Sequence, residues 1–285
     1  MFEKILYPTD FSEVSLHALR TCVPGGLISL GGVKELHLVH VIDITIAEFE
    51  AFELEDIYRG KLEKLADELR GGRGGVNVNP VVRIGIPSME IAEVAEEEDV
   101  DLIVIPSLGE NIWRAMFVGG STASNLARAT RKPVLLLKYR KKEEGGFEPA
   151  VECSEMFRRP LIALDFSKCS IKIIKTAKKF EELVEEGILV HSVDYGRVEE
   201  VEHNIALAKT NLEKSAKGGL KARLGFEVLV GSASQAIIGM SLAKNATLIV
   251  IGKKGRSFLK DLLLGSTAER VIRDSKVPVL LVPCD

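Results

Sequence analysis

The chain is poor in the residues that staple small or secreted frameworks. Cysteine occurs only at Cys22, Cys153, Cys169 and Cys284, with no Cys-x-x-Cys pair and no metal-ligand spacing. Four scattered thiols in so long a chain do not make a disulfide framework, so the expectation is a reducing cytoplasm. No apolar run approaches the ~20 residues that cross a bilayer. The opening MFEKILYPTD sets acid and base within its first four residues and a proline by the eighth, so no secretory leader is expected. Charge of one sign is lacking as well. The 38 basic and 41 acidic residues leave a net charge of −3, which excludes a global pull toward nucleic acid or anionic membrane. Any basic site must be local. Glutamine occurs once, at Gln235, against many Glu and Lys, a bias of proteins from hot environments.

Several motifs are missing too. The first strand is not followed by Gly-x-Gly-x-x-Gly, which disfavours a nicotinamide-dependent oxidoreductase. GGRGG at Gly71–Gly75 has no Lys-Ser or Lys-Thr after it, so it reads as a helix stop and not a P-loop. The rest is ordinary. With 46% apolar and 28% charged residues over 285 positions, the chain can fill one large core or two of common size.

What the sequence does have is one unit written twice. KILYPTDFSEVS at Lys4–Ser15 is echoed by PLIALDFSKCS at Pro160–Ser170, and LVHVID at Leu38–Asp43 by LVHSVD at Leu189–Asp194. DLIVIPS answers TLIVIGK. GSTASNLARATRKPVLLL and GSTAERVIRDSKVPVLLV agree at 9 of 18 positions, and all blocks keep their order. In the first unit, apolar runs near Ile5–Tyr7, Leu36–Ile42, Val78–Ile84, Leu102–Ile105 and Val134–Leu137 predict strands, and the amphipathic stretches between them predict helices. Nearly all-apolar strands alternating with helices imply a parallel sheet covered on both faces. The expectation is an α/β chain of two tandem doubly wound domains, 1–138 and 159–285. The charged segment 139–158, with its Gly-Gly and no sustained period, reads as a linker.

In such a sheet, ligands bind beyond the carboxyl ends of the strands, where strand order reverses. If strands one and four flank that point, two loops meet there. One carries Asp10 or Asp165. The other, in the second unit, is IGKKGRSFLKDLLLGSTAERVI, with Gly252, Gly255, Gly265, Ser266 and Thr267 leading into a helix. Glycines let backbone N–H groups come close to an anion, and a helix start offers unpaired donors at the positive end of its dipole. Lys253, Lys254 and Arg256 add charge, and together these groups suit a phosphate. The bland alternative is that the glycines serve only the turn and Ser266 or Thr267 only caps the helix. His40 and His191, on matching strands, read as core or crevice lining. Glu96–Asp99 reads as a solvated helix end, and the apolar NIWRAMFV stretch as loop packing or a subunit contact.

These residues resemble the universal stress protein family, in its tandem form. ILYPTDFSE is similar to the family's first strand and loop, and Gly252-x-x-Gly255, nine residues, Gly265-Ser266 is similar to its ATP-binding signature. The resemblance implies five-stranded parallel sheets, pairing through the last strand and adenine-nucleotide binding. It implies ATP, ADP or AMP as ligand, with Mg accompanying a triphosphate. The second unit carries Leu164, Asp165, Ser192 and Gly231 on the adenosine side, beside Lys253 and the phosphate loop. The first carries Pro8, Thr9, Asp10, Val41 and Gly85 there. On its phosphate side Gly109 remains, with Gly120, Ser121 and Thr122 one residue further on, but Pro106 stands in place of the first glycine and removes a donor. The expectation is a triphosphate in the second unit and a nucleotide with fewer phosphates in the first. The two terminal strands, Val134–Leu137 and Val279–Val282, are expected to pair the domains, within a homodimer. No Walker lysine or obvious general base is present, so the function expected is a nucleotide-binding stress-response or regulatory protein. The alternatives are a slow ATPase and an interaction module that takes no nucleotide.

Overall fold

The computed structural model describes residues 1–47, 51–71, 75–108, 122–193, 198–217, 223–254 and 264–284. The chain divides into two compact units, Met1–Pro149 and Ala150–Asp285. In the first, β1 (Lys4–Pro8), α1 (Glu13–Cys22), β2 (Glu35–Asp43), α2 (Ala51–Arg70), β3 (Asn77–Gly85), α3 (Pro87–Glu97), β4 (Leu102–Leu108), α4 (Thr122–Ala129) and β5 (Val134–Lys141) follow in turn. The five strands pair parallel in the order β3-β2-β1-β4-β5. Order thus reverses between β1 and β4, where the sequence places the site. The expected strands and helices are all present, and α3 ends at Glu97 within the acidic run.

The strands are apolar because both faces are covered. Ile5, Leu6 and Tyr7 on β1 and Leu102 to Val104 on β4 are fully buried. α1 starts where Ser12 accepts a bond from the Ser15 N–H, and it turns Val14, Ala18 and Leu19 inward. Across the sheet's lower edge, the Asp101 carboxylate accepts the N–H groups of Glu3 and Lys4 at 2.9 and 3.1 Å, fixing β1 against β4.

The charged segment is more than a linker. β6 (Phe147–Pro149) runs antiparallel to β5, with Tyr139 opposite Pro149 and Lys141 opposite Phe147. Gly145 and Gly146, at φ +93° and +77°, make the turn.

The second unit repeats the plan: β7 (Pro160–Ala163), α5 (Lys168–Ala177), β8 (Gly187–Val193), α6 (Val198–Lys217), β9 (Leu224–Val230), α7 (Ala233–Ala243), β10 (Leu248–Gly252), α8 (Ser266–Asp274) and β11 (Val279–Val282). Its strand order is β9-β8-β7-β10-β11, with the reversal between β7 and β10. No helix among the described residues is long and apolar enough to cross a membrane.

One expectation fails here. Cys169 and Cys284 form a disulfide, with Cα atoms 4.6 Å apart and a sequence separation of 115. The first opens α5 just beyond β7, and the second follows β11. Parallel strands bring both to the same end of the sheet, a closeness that sequence spacing does not reveal. The cytoplasmic expectation rested on reduced thiols, and this bond removes that support.

Candidate functional site

In both units the loop after the first strand is the same device. Asp10 accepts the Ser12 N–H and Asp165 the Ser167 N–H, each at 2.9 Å, closing a small side-chain turn. The residue inside each turn, Phe11 or Phe166, is held at φ 60°, a left-handed conformation costly for an aromatic residue. That twist lays the phenyl ring on a strand histidine. Phe11 and His40 have ring centroids 4.8 Å apart, and Phe166 and His191 4.4 Å. The Nδ1–H of His40 donates to the Thr9 carbonyl at 2.8 Å, and that of His191 to the Leu164 carbonyl at 2.7 Å. Of the two readings, crevice lining and core, His191 takes the first, bordering the second unit's cavity, while His40 is buried against the Phe11 ring. Burial lowers the His40 pKa below the ordinary value, against the opposing pull of the Thr9 carbonyl.

In the second unit these parts border a cavity of about 620 Å³, within the size range of small-ligand sites. Leu164 and Asp165 lie on the β7 side, His191 and Ser192 on the β8 side, and Gly252 and Lys253 at the end of β10. Gly265, Ser266 and Thr267 close it at the start of α8. Eight of the ten residues the sequence singles out in this unit are brought together. Gly231 stands just behind them. It accepts the Ser192 hydroxyl at 3.0 Å and holds φ +110°, which only glycine adopts readily. Gly255, like Arg256, lies outside the described residues.

Two glycines have jobs that the signature does not announce. A Cβ on Gly252 would lie 2.5 Å from the Cys169 sulfur and 3.2 Å from that of Cys284, so the disulfide itself demands glycine there. The Gly265 N–H donates to the Lys253 carbonyl at 2.9 Å, while the Lys253 N–H donates to Val282 at 2.7 Å. These bonds tie the loop's two ends to the sheet. The first helical bond of α8 runs from Glu269 to Gly265. Ser266, Thr267 and Ala268 thus have N–H groups without partners inside the helix, and all three residues line the cavity. Lys253, almost fully buried, brings a cation to the same wall.

The opposite wall was not legible in the sequence. Asn204, Leu207, Ala208 and Asn211 of α6 line the cavity, with Ala233 and Ile237 of α7. They lie on helices far from any motif, and only their helical spacing marks them as one face.

In the first unit, Pro8 ends β1, and the Thr9 hydroxyl accepts the Ser15 hydroxyl and the Phe11 N–H at 2.9 and 3.1 Å. Val41 lies half-buried on β2 beside Arg83. At Gly85 an added Cβ would run into the Glu90 side chain, so its small size leaves room for that side chain of α3. Gly109, Gly120, Ser121 and the NIWRAMFV stretch lie outside the described residues, and Thr122 opens α4. Above the Phe11–His40 pair stands a third ring. Tyr58 of α2 stacks on Phe11 at 5.7 Å and 24°, and lies 4.2 Å from His40.

Comparison with known proteins agrees with this architecture. The universal stress protein family model matches residues 1–138 and again 156–283. A universal stress protein of Methanocaldococcus jannaschii is 31% identical over 161 residues, covering 48% of this chain and 96% of its own. One from Bacillus subtilis is 28% identical over 149 residues, covering 45% of this chain and 99% of its own. The crystal structure of a universal stress protein from Archaeoglobus fulgidus has the same fold across both units. Its TM-score is 0.73 at 24% identity, and the match covers 98% of this chain and 96% of that one. With two matched domains filling nearly its whole length, the chain belongs to the universal stress protein family.

Proposed function

We propose that the second unit binds an adenine nucleotide in a stress-response or regulatory role, with its phosphates against the start of α8. The observation that carries this reading is the cavity where Asp165, His191 and Lys253 converge with the Ser266-Thr267 helix start. The N–H groups there suit phosphate oxygens, and the buried lysine adds charge. Asp165 suits a ribose hydroxyl, and the Phe166–His191 pair offers a wall against which a base can pack. With a triphosphate as ligand, Mg would accompany its phosphates. Binding, and not turnover, is what this geometry supports.

Gly265→Val would set a branched side chain at the helix start. A charged hydrogen bond is worth about 1.5–3 kcal/mol, so ATP affinity should fall roughly ten- to hundred-fold in calorimetric titration. A folded variant with unchanged affinity refutes the assignment. Heat-denaturing the purified protein and assaying the supernatant for adenine nucleotide tests whether the ligand is carried from the cell.

A further inference from the structure

The two units build the corner beside the first-strand loop from matching parts, an aspartate turn, a phenyl ring and a strand histidine, and differ in the helix that covers it. α2 and α6 are both 20 residues long and both follow the second strand of their unit. Their buried positions set the register: Leu62 and Ala66 of α2 answer Ala208 and Leu212 of α6. In that register Tyr58 answers Asn204 and Leu65 answers Asn211. Asn204 and Asn211 line the second unit's cavity. In the first unit the phenol ring of Tyr58 reaches into the corresponding place, stacked on Phe11 and close to His40. Lys61 fastens it from above, its Nζ 4.8 Å from the Tyr58 centroid and 5.9 Å from that of Phe11.

We infer that Tyr58 is the residue that decides nucleotide occupancy of the first unit, by filling the nucleoside corner with the protein's own ring. The inference rests on the reading of the second unit given above. A purine entering the first unit has to displace a tyrosine already stacked between a phenyl ring, an imidazole and an ammonium group. In the second unit a carboxamide stands at that position and the corner is open. The expected first-unit site for a nucleotide with fewer phosphates therefore gives way to a closed one. The chain then holds one nucleotide, in its second half.

Calorimetric titration of the full chain tests this with AMP and ATP, since AMP, with a single phosphate, asks less than ATP of the phosphate side where Pro106 stands. Four proteins are compared: the parent, Gly265→Val, Tyr58→Asn, and the double variant. The parent should bind one ATP per chain, and Gly265→Val should bind it roughly ten- to hundred-fold more weakly. Tyr58→Asn should bind AMP at an added site that survives Gly265→Val, at least tenfold tighter than any residual AMP binding by Gly265→Val alone. Tyr58→Phe keeps the ring and should behave as the parent, and Tyr58→Leu replaces the Asn variant if that one does not fold. Nucleotide binding at a second site in the parent, retained in Gly265→Val, overturns the inference whatever the Tyr58 variants do. So does a double variant that binds AMP no better than Gly265→Val. A parent that binds nothing, beside a double variant that binds AMP, upholds the role of Tyr58 and refutes the second-unit reading. Binding by neither overturns both.

Discussion

His40 sits 8% exposed beneath the Phe11 and Tyr58 rings, and burial holds its pKa below the ordinary value. In the unfolded chain a histidine takes its proton near pH 6.5. The unfolded state therefore gains the proton first as pH falls. The stability that neutral His40 contributes is present above about pH 6.5 and drains away below it. His40→Gln should flatten this acid slope, read as the change in urea midpoint between pH 7.5 and pH 5. Equal slopes in variant and parent would discard the argument. Legibility at this scale is uneven. The paired LVH blocks announce the histidines, but in an apolar run they leave core and crevice lining equally open. Gly252 is different. Its place in the glycine spacing is plain, but its reason is the sulfur of Cys169, 2.5 Å from where its Cβ would be, and no local pattern reveals that neighbour.

Among elements, strands read best, because a strand buried on both faces is written as an unbroken apolar run, as in Leu102–Ile105 or Leu248–Ile251. The strand order is only a condition in the sequence, which places the two loops together if the first and fourth strands are neighbours; the structure meets that condition at β1–β4 and β7–β10. The β5–β6 hairpin escaped notice because β6 is three residues long and its face is charged. Only Gly145-Gly146 signalled it, and a glycine pair signals a linker equally well. Tyr139 shows that this element matters: its ring is 2% exposed, and its hydroxyl meets His17 Nδ1 at 3.3 Å. Replacing both glycines by alanine would force side chains into left-handed backbone, at about 1 kcal/mol or more for each. The expected result is faster amide exchange at Arg140 and Glu148, with the core of the first unit still protected. Unaltered exchange there would show that the turn tolerates side chains.

At the scale of the whole molecule, the repeat made the fold legible almost entirely and the site only in half. Its motif half sits on loops whose residues are chosen for backbone geometry, so it is repeated and visible. Its helical half, Tyr58 in one unit and Asn204 in the other, is chosen for volume, which leaves no pattern in a single sequence. The Cys169–Cys284 bond spans 115 residues, nearly the whole second unit. A loop of that size withdraws about 4–5 kcal/mol of chain entropy from the unfolded state. Cys284→Ser should therefore lower the unfolding free energy of the second unit by up to that amount, in parallel with reduction by dithiothreitol. A variant as stable as the oxidised parent would show that the bond is not formed in solution. The same bond sets an order of events during synthesis. Ribosomes add about 5–20 residues per second, so Cys169 waits on the order of ten seconds as a free thiol while the next 115 residues, the last of them its partner, are made. Until then the end of β10 lacks the sulfur pair packed against Gly252, and an electron acceptor must reach the chain after translation has passed Cys284. The surroundings of Gly252, at the border of the cavity, are thus completed only after synthesis has passed Cys284.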